Sequence, residues 1–257
     1  MEYFWKQYED LPEGLGYGRF SPEHWMTLAV VAGLILCAAL LFRRMDRKGR
    51  ERVLLVIPFV MIALEIGKDL FLCSAHRFDV GYLPLHMCSL GVFVFLLSAL
   101  AKGKRWKGIF GEIAVTLILP GSVAALLFPD WAHLYPVWNF MNLYGYAWHG
   151  FLVLYPILCL LNGQVHPSIR HIHYDLLFLL CTVPPVYVFD RAFHTNYMFV
   201  NWPPKGTPLE LIASVTGPQW YLAGYALFSA AVILGVYLII EAAGLIRRRR
   251  GKGNPAR

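Results

Sequence analysis

A chain of 257 residues that is 58% hydrophobic and only 15% charged cannot clothe a soluble domain of its size in polar side chains. Its net charge of +7 gathers in short clusters between long apolar runs, the segregation that a bilayer imposes on charged residues. Nucleic-acid binding is a poor account of the basic balance, because no face concentrates Lys and Arg with interleaved stacking aromatics.

In chain order, residues 1–23 carry Glu2, Glu9, Asp10 and Glu13 and lack the basic start, apolar stretch and cleavage site of a signal peptide. They are expected as an extracytoplasmic segment ahead of an uncleaved first span. Apolar stretches of about 17 to 25 residues, the length that crosses roughly 30 Å of hydrocarbon, then follow. They are Trp25 to Phe42, Val53 to Leu72, Leu83 to Ala101, Ile109 to Phe128, Val137 to Leu161, Tyr174 to Phe189 and Gln219 to Ile240. The sixth is short and interrupted by Pro184 and Pro185, so a re-entrant segment and six spans stay open as an alternative. The pattern predicts an all-α polytopic membrane protein: seven transmembrane helices over residues 24–246, then a basic cytoplasmic tail over 247–257.

Orientation follows from the basic residues. With an odd number of spans, 17 of the 23 Lys and Arg residues fall on one side, in the clusters Arg43 to Arg52, Lys102 to Lys107, Arg170 and Arg247 onward. That side is expected to be cytoplasmic, which puts the N-terminus outside. The sparsely charged side carries Tyr82, Trp131, Tyr135, Trp138, Tyr197, Trp202, Trp220 and Tyr221, rings suited to headgroup level. The longest outer loop, Arg191 to Pro218, could lid a cavity opening there. No internal repeat is evident, which counts against transporter folds built from duplicated halves.

Chemistry concentrates first in Leu83-Pro84-Leu85-His86-Met87-Cys88-Ser89, at the outer end of the third span. Cys88 is expected about five residues, roughly 8 Å, below the start of that helix. A thiol there is either a small packing residue or a nucleophile, and as a nucleophile it needs a nearby base or cation. On a helix His86, two residues away, points elsewhere unless the Pro84 turn intervenes. His149, near the middle of the fifth span, is the better partner, the alternative being an inter-helical hydrogen bond. Glu65, Lys68 and Asp69 share one face of the second span and partly neutralise one another. Glu112 and Asp175 are expected to snorkel or cap near cytoplasmic ends, and Asp190 to pair with Arg191 at the outer rim. Gly81, Gly111, Gly121 and Gly145 are expected at close helix contacts. His166, His171 and His173 read as solvated loop residues, and Cys37, Cys73, Cys88, Cys159 and Cys181 lack metal-ligand or disulfide spacing. No metal and no cofactor are expected.

Taken together, Leu83-Pro84-Leu85-His86-Met87-Cys88, His149-Gly150, Asn196-Tyr197-Met198 followed by Pro203, and Gly217-Pro218 with Trp220-Tyr221 make the sequence resemble the YwaF-like integral membrane proteins of bacteria. These are similar to vertebrate transmembrane protein 164. The LPLHxC element is the most specific of these motifs. Met87 stands where leucine is more usual, and Asp190 where asparagine is commoner. The resemblance implies an acyltransferase or acyl-ester hydrolase of the cell membrane, acting on phospholipid and lysophospholipid, with Cys88 as acyl-accepting nucleophile and His149 as general base. Glu65, Lys68, His86, Asn196 and Tyr197 would support the site, with Asn142 or a backbone amide as oxyanion donor. The competing expectations are a small-solute permease with Glu65, Lys68, Asp69 and His149 along its pathway, and a non-catalytic lipid-binding subunit.

Overall fold

Three of the long helices begin where the chain supplies a side-chain acceptor for the free N–H groups of a first turn. Ser21 caps α1 (Pro22–Arg44) at His24 N, with Pro22 in the first position where its missing N–H costs nothing. Asp46 caps α2 (Arg47–Ser74) at Gly49 N, and Asn139 caps α6 (Phe140–Leu161) at Met141 N. The other helices are α3 (Met87–Leu100), α4 (Lys104–Ile113), α5 (Leu119–Leu127), α7 (His173–Phe193), α8 (Pro208–Thr216) and α9 (Tyr221–Lys252). A π-helical turn, Ala114–Ile118, joins α4 to α5. This is a computed structural model that describes the backbone of residues 2–252 and the side chains of residues 2–246, and no strand occurs among the described residues. The expected basic tail, 247–257, falls outside the described side chains.

Five helical stretches are long and apolar enough to cross a membrane: Pro22–Arg44, Lys104–Leu127, Phe140–Leu161, Ile169–Phe193 and Tyr221–Ile246. Two of the seven expected stretches differ. Glu65, Lys68 and Asp69 make α2 too charged along its length, and α3 has only 14 residues. The expected helix from Leu83 starts instead at Met87, because Pro84 disfavours helical backbone at Leu83, which is extended (φ −63°, ψ 150°). The uncertain sixth stretch, by contrast, is a continuous 21-residue helix. It runs through Pro184 and Pro185 despite the two N–H groups they remove.

The core is built around α6, which packs against α1, α2, α3, α5 and the π-helical turn. Its apolar window is 56% buried, against 6% for α1 and 11% for both α7 and α9, so α6 is the central helix. Fully buried side chains from four elements meet there: Met61 of α2, Phe95 of α3, Ile118 of the π turn and Leu152 and Tyr155 of α6. The Phe95 and Tyr155 rings stack with centroids 4.2 Å apart, and Tyr155 OH donates to Phe95 O at 3.0 Å. Outward, Leu34, Leu180 and Leu227 are each about two-thirds or more exposed. A belt of exposed leucine on the peripheral helices needs a surrounding apolar medium, which the bilayer supplies.

Helices α7 and α9 pack loosely. α9 meets the π turn and α8, while α7 meets α4 and the loop at Tyr197–Phe199. The space left between them and α5 forms one arm of the cavity described next. Residues 2–23 do not hang free. Tyr17 N donates to Ala132 O, Phe140 N donates to Phe4 O, and Asn139 Nδ2 donates to Tyr3 O and Lys6 O.

Candidate functional site

A cavity of about 670 Å³ opens at the end of the bundle where α3 begins, well inside the range of small-molecule and lipid sites. Its polar end is lined by Glu65, Lys68, Tyr82, His86, Cys88, Tyr144 and His149. Its other arm runs between α5, α7 and α9 and is lined by Gly121, Ala124, Ala125, Leu179, Phe228 and Val232. Small side chains on α5 face larger, mostly apolar ones on α7 and α9, with Tyr225 and Ser229 of α9 the polar exceptions.

Cys88 is the second residue of α3, not the sixth, and its neighbours include Ser89, Trp148 and Glu65. The segment Leu83–His86 is a tight turn in which Leu85 N donates to Leu83 O at 2.8 Å, and it stands where the first turn of the expected helix would have been. Leu83, Leu85 and Met87 pack on Val186, Tyr197 and Met198, which fixes where α3 starts. His86 occupies the N-cap without making a side-chain cap, so the first-turn N–H groups of α3, including that of Cys88, have no side-chain acceptor.

His149 is buried yet borders the cavity. Its Nδ1 lies 2.8 Å from Gly145 O. A carbonyl only accepts, so Nδ1 carries the proton and Nε2 is left with a free lone pair. The Trp131 indole stacks on the imidazole, centroids 4.9 Å apart and planes 12° from parallel. Gly145 makes the room: a Cβ there would meet the Trp131 ring at 2.6 Å. His86 lines the same cavity as His149.

Lys68 is held in the wall of the polar end. Its Nζ lies 2.8 Å from Glu65 Oε1 and 3.1 Å from Asp69 Oδ1 and donates to Tyr82 O at 3.2 Å. Tyr144 OH donates to the other Glu65 oxygen. This network spans α2, α6 and the turn before α3, and Lys68 partly neutralises the two carboxylates where lipid could not solvate them.

Several expected roles move. Asn142 does not line the cavity; it is fully buried, with Nδ2 donating to Val137 O at 2.9 Å and Oδ1 accepting from Tyr17 OH at 3.0 Å. Its amide links Val137 and Tyr17 away from the cavity lining, where it cannot reach an oxyanion beside Cys88. Asn196 is likewise spent on its own loop, donating to Trp202 O and accepting from Asn201 N. Tyr197 is buried, donates to Val80 O and does not itself line the cavity, meeting the His86 ring at a centroid distance of 4.9 Å. Asp190 does not pair with Arg191. Buried at 1% exposure, it accepts from Thr195 Oγ1 at 2.6 Å and Tyr197 N at 3.0 Å, closing the turn after α7. Glu112 and Asp175 are interior residues and do not snorkel. Asp175 accepts from Tyr237 OH at 2.9 Å and lies 2.9 Å from Thr116 Oγ1, while Glu112 accepts from Ser168 N and meets His171 Nδ1 at 3.0 Å. Of the glycines expected at helix contacts, Gly111 and Gly145 admit Val165 and Trp131, which are loop side chains, and Gly121 faces open space.

The sequence reading missed Trp131, Tyr144 and Trp148 as parts of the site. A signal was present: Met141, Tyr144, Gly145, Trp148 and His149 recur at the three-and-four spacing of one helix face, and all line the cavity.

In comparisons with known proteins, the model of the TMEM164 family matches residues 19–238, a stretch that contains every cavity residue named above on α2, α3, α5, α6, α7 and α9. No curated protein matches the chain, and no solved structure does.

Proposed function

The chain belongs to the TMEM164 family, and from that premise we propose that it is a membrane phospholipid acyltransferase or acyl-ester hydrolase working through Cys88 and His149. One observation carries the reading: a thiol and a histidine with a free Nε2 border a single cavity whose other arm is an apolar slot between loosely packed helices. An acyl chain would occupy the slot, and its ester carbonyl would lie at the polar end beside Cys88.

His149 Nε2 takes the proton from Cys88 Sγ, and the thiolate attacks the ester carbonyl. Collapse of the tetrahedral intermediate expels the lysolipid alkoxide, which recovers the proton from the imidazolium and leaves an acyl thioester on Cys88. A second lysolipid hydroxyl, or water, gives its proton to Nε2, attacks the thioester and releases the thiol. The Trp131 stack and the Gly145 carbonyl hold the imidazole in the orientation and tautomer this cycle needs. The Glu65–Lys68–Asp69 network supports the polar end, with Tyr144 donating to the Glu65 oxygen that Lys68 does not hold.

Seven spans, with the N-terminus outside, complete the proposal. α2 and α3 would cross alongside the five long apolar helices, α2 because Glu65 and Lys68 border the cavity and α3 because its 14 residues carry no charge. The cavity would then open toward the outer leaflet of the cell membrane. Permeation along Glu65, Lys68 and His149 is the competing reading, and the largely apolar slot favours a lipid tail over a hydrated solute.

The test is acyl transfer between a labelled phospholipid and a lysophospholipid in vesicles holding the purified protein. Cys88→Ala and His149→Ala are both expected to abolish transfer. Unchanged turnover in Cys88→Ala removes the nucleophile, and Glu65-dependent solute flux indifferent to Cys88 would favour the permease.

A further inference from the structure

The two cavity histidines hold opposite tautomers, and this gives His86 a role of its own. His149 presents a lone pair at Nε2, as described above. At His86 the partner is reversed: Met198 N donates to Nδ1 at 3.2 Å. A backbone amide only donates, so Nδ1 must accept and the ring proton must sit on Nε2. The tautomer is thus fixed by the hydrogen-bond inventory of the loop.

That loop holds an unusual backbone to make the contact. Met198 (φ 54°) and Phe199 (φ 58°) are both left-handed, a conformation that costs non-glycine residues on the order of 1 kcal/mol each. The ring is fixed further by Tyr197, edge-on at 4.9 Å, and by Phe199 at 5.5 Å. His86 also declines the task of its position, since an N-cap residue ordinarily satisfies first-turn N–H groups and this side chain does not. Among the described residues no acceptor meets its Nε2–H, while the side chain lines the same cavity as Cys88 and His149.

Resting on the acyl-transfer reading above, we propose that His86 is a catalytic residue whose Nε2–H, together with the uncapped first-turn amides of α3, donates to the oxyanion formed when Cys88 attacks an acyl ester. As the C–S bond forms, the carbonyl π pair moves onto oxygen, and His86 stabilises that charge by hydrogen bonding without giving up its proton. When the pair returns and the alkoxide leaves, the leaving group's proton comes from His149. The same donor serves the second attack, on the thioester. One histidine handles the proton and the other the charge.

The experiment contrasts His86→Gln with His86→Asn in the full chain reconstituted in phospholipid vesicles. Both amides can accept from Met198 N, but only glutamine reaches far enough to place an N–H near the position of Nε2. Two rates are read: acyl transfer, and alkylation of Cys88 by iodoacetamide, followed by mass spectrometry of the Cys88 peptide. Alkylation displaces iodide at a saturated carbon and forms no oxyanion. His86→Asn is expected to lower kcat on the order of 100-fold with alkylation unchanged, and His86→Gln to recover most of the loss. His86→Phe, which keeps a ring and removes both nitrogens, should match His86→Asn. Equal transfer in Asn and Gln variants, or alkylation falling in parallel with transfer, overturns the assignment. Cys88→Ala separates the two levels: if it still transfers acyl groups the parent reading fails, whereas if it is dead and His86→Asn is fully active, only the role of His86 fails.

Discussion

Substituting alanine at Gly145 should change sign with the state of residue 131. A Cβ on residue 145 would lie 2.6 Å from Trp131 Cε2, 2.7 Å from Nε1 and 3.0 Å from Cζ2, where relaxed carbon contacts are about 3.5–4.0 Å. The indole must therefore retreat by about 1 Å, yet it is stacked on His149 and edged by Tyr146 at 5.5 Å. Overpacking of this kind costs about 1–3 kcal/mol, while Gly→Ala inside a helix contributes about 1 kcal/mol in the opposite direction. Gly145→Ala should thus destabilise the wild type by up to about 2 kcal/mol. With Trp131→Ala the obstruction is gone, and the same change should stabilise by up to about 1 kcal/mol. Thermal unfolding in detergent micelles reads both steps, at roughly 2–4 °C per kcal/mol for a chain of this size. Tilting the indole off the imidazole should also slow alkylation of Cys88. Equal shifts of the same sign in both backgrounds would refute the packing argument.

Two further outcomes follow from the same structure. Glu65→Ala leaves Lys68, whose side chain is only 8% exposed, with Asp69 and the Tyr82 carbonyl, and strips Tyr144 of its acceptor. A loss of about 3 kcal/mol is expected, partly recovered when Lys68→Met is added, and a double variant less stable than the single one would contradict the pairing. For topology, Lys205→Cys should react with an impermeant maleimide on intact cells, whereas Lys48→Cys should react only after permeabilisation; the reverse pattern would invert the proposed orientation.

The helices were legible because their signal is simple: long apolar runs separated by basic clusters on one side. What the sequence concealed were places where local geometry departs from regular helix. Pro84 moves the start of α3 four residues on and so repositions Cys88. The π turn at Ala114–Ile118 adds a residue to its helix without any composition cue. Polar residues were harder still, since a buried Asn or Asp reads alike whether it serves a ligand or a loop. Asn142 and Asp190 proved to be tied to Tyr17 and Tyr197, partners 125 and 7 residues away that no helical spacing indicates. The α6 stripe from Met141 to His149 was readable, and it points to the cavity more directly than any single residue on it.

Polar groups inside the bundle separate into two kinds according to whether their hydrogen-bonding capacity is spent. At the end rich in Lys and Arg, Asp175 meets Thr116 and Tyr237, Glu112 meets Ser168 and His171, and Glu241 accepts from Ile169 N at 3.1 Å. The group forms a closed joint between α4, the π turn, α7 and α9. At the other end the accounting stays open. His149 spends Nδ1 and keeps Nε2, His86 does the same with the opposite proton, and Cys88 sits between uncapped amides and an apolar slot. In a medium that cannot solvate polar atoms, unspent capacity is costly unless something enters to use it. The contrast between a satisfied cluster and a reserved one, more than the mere presence of buried polar residues, directs attention to the cavity as the candidate site.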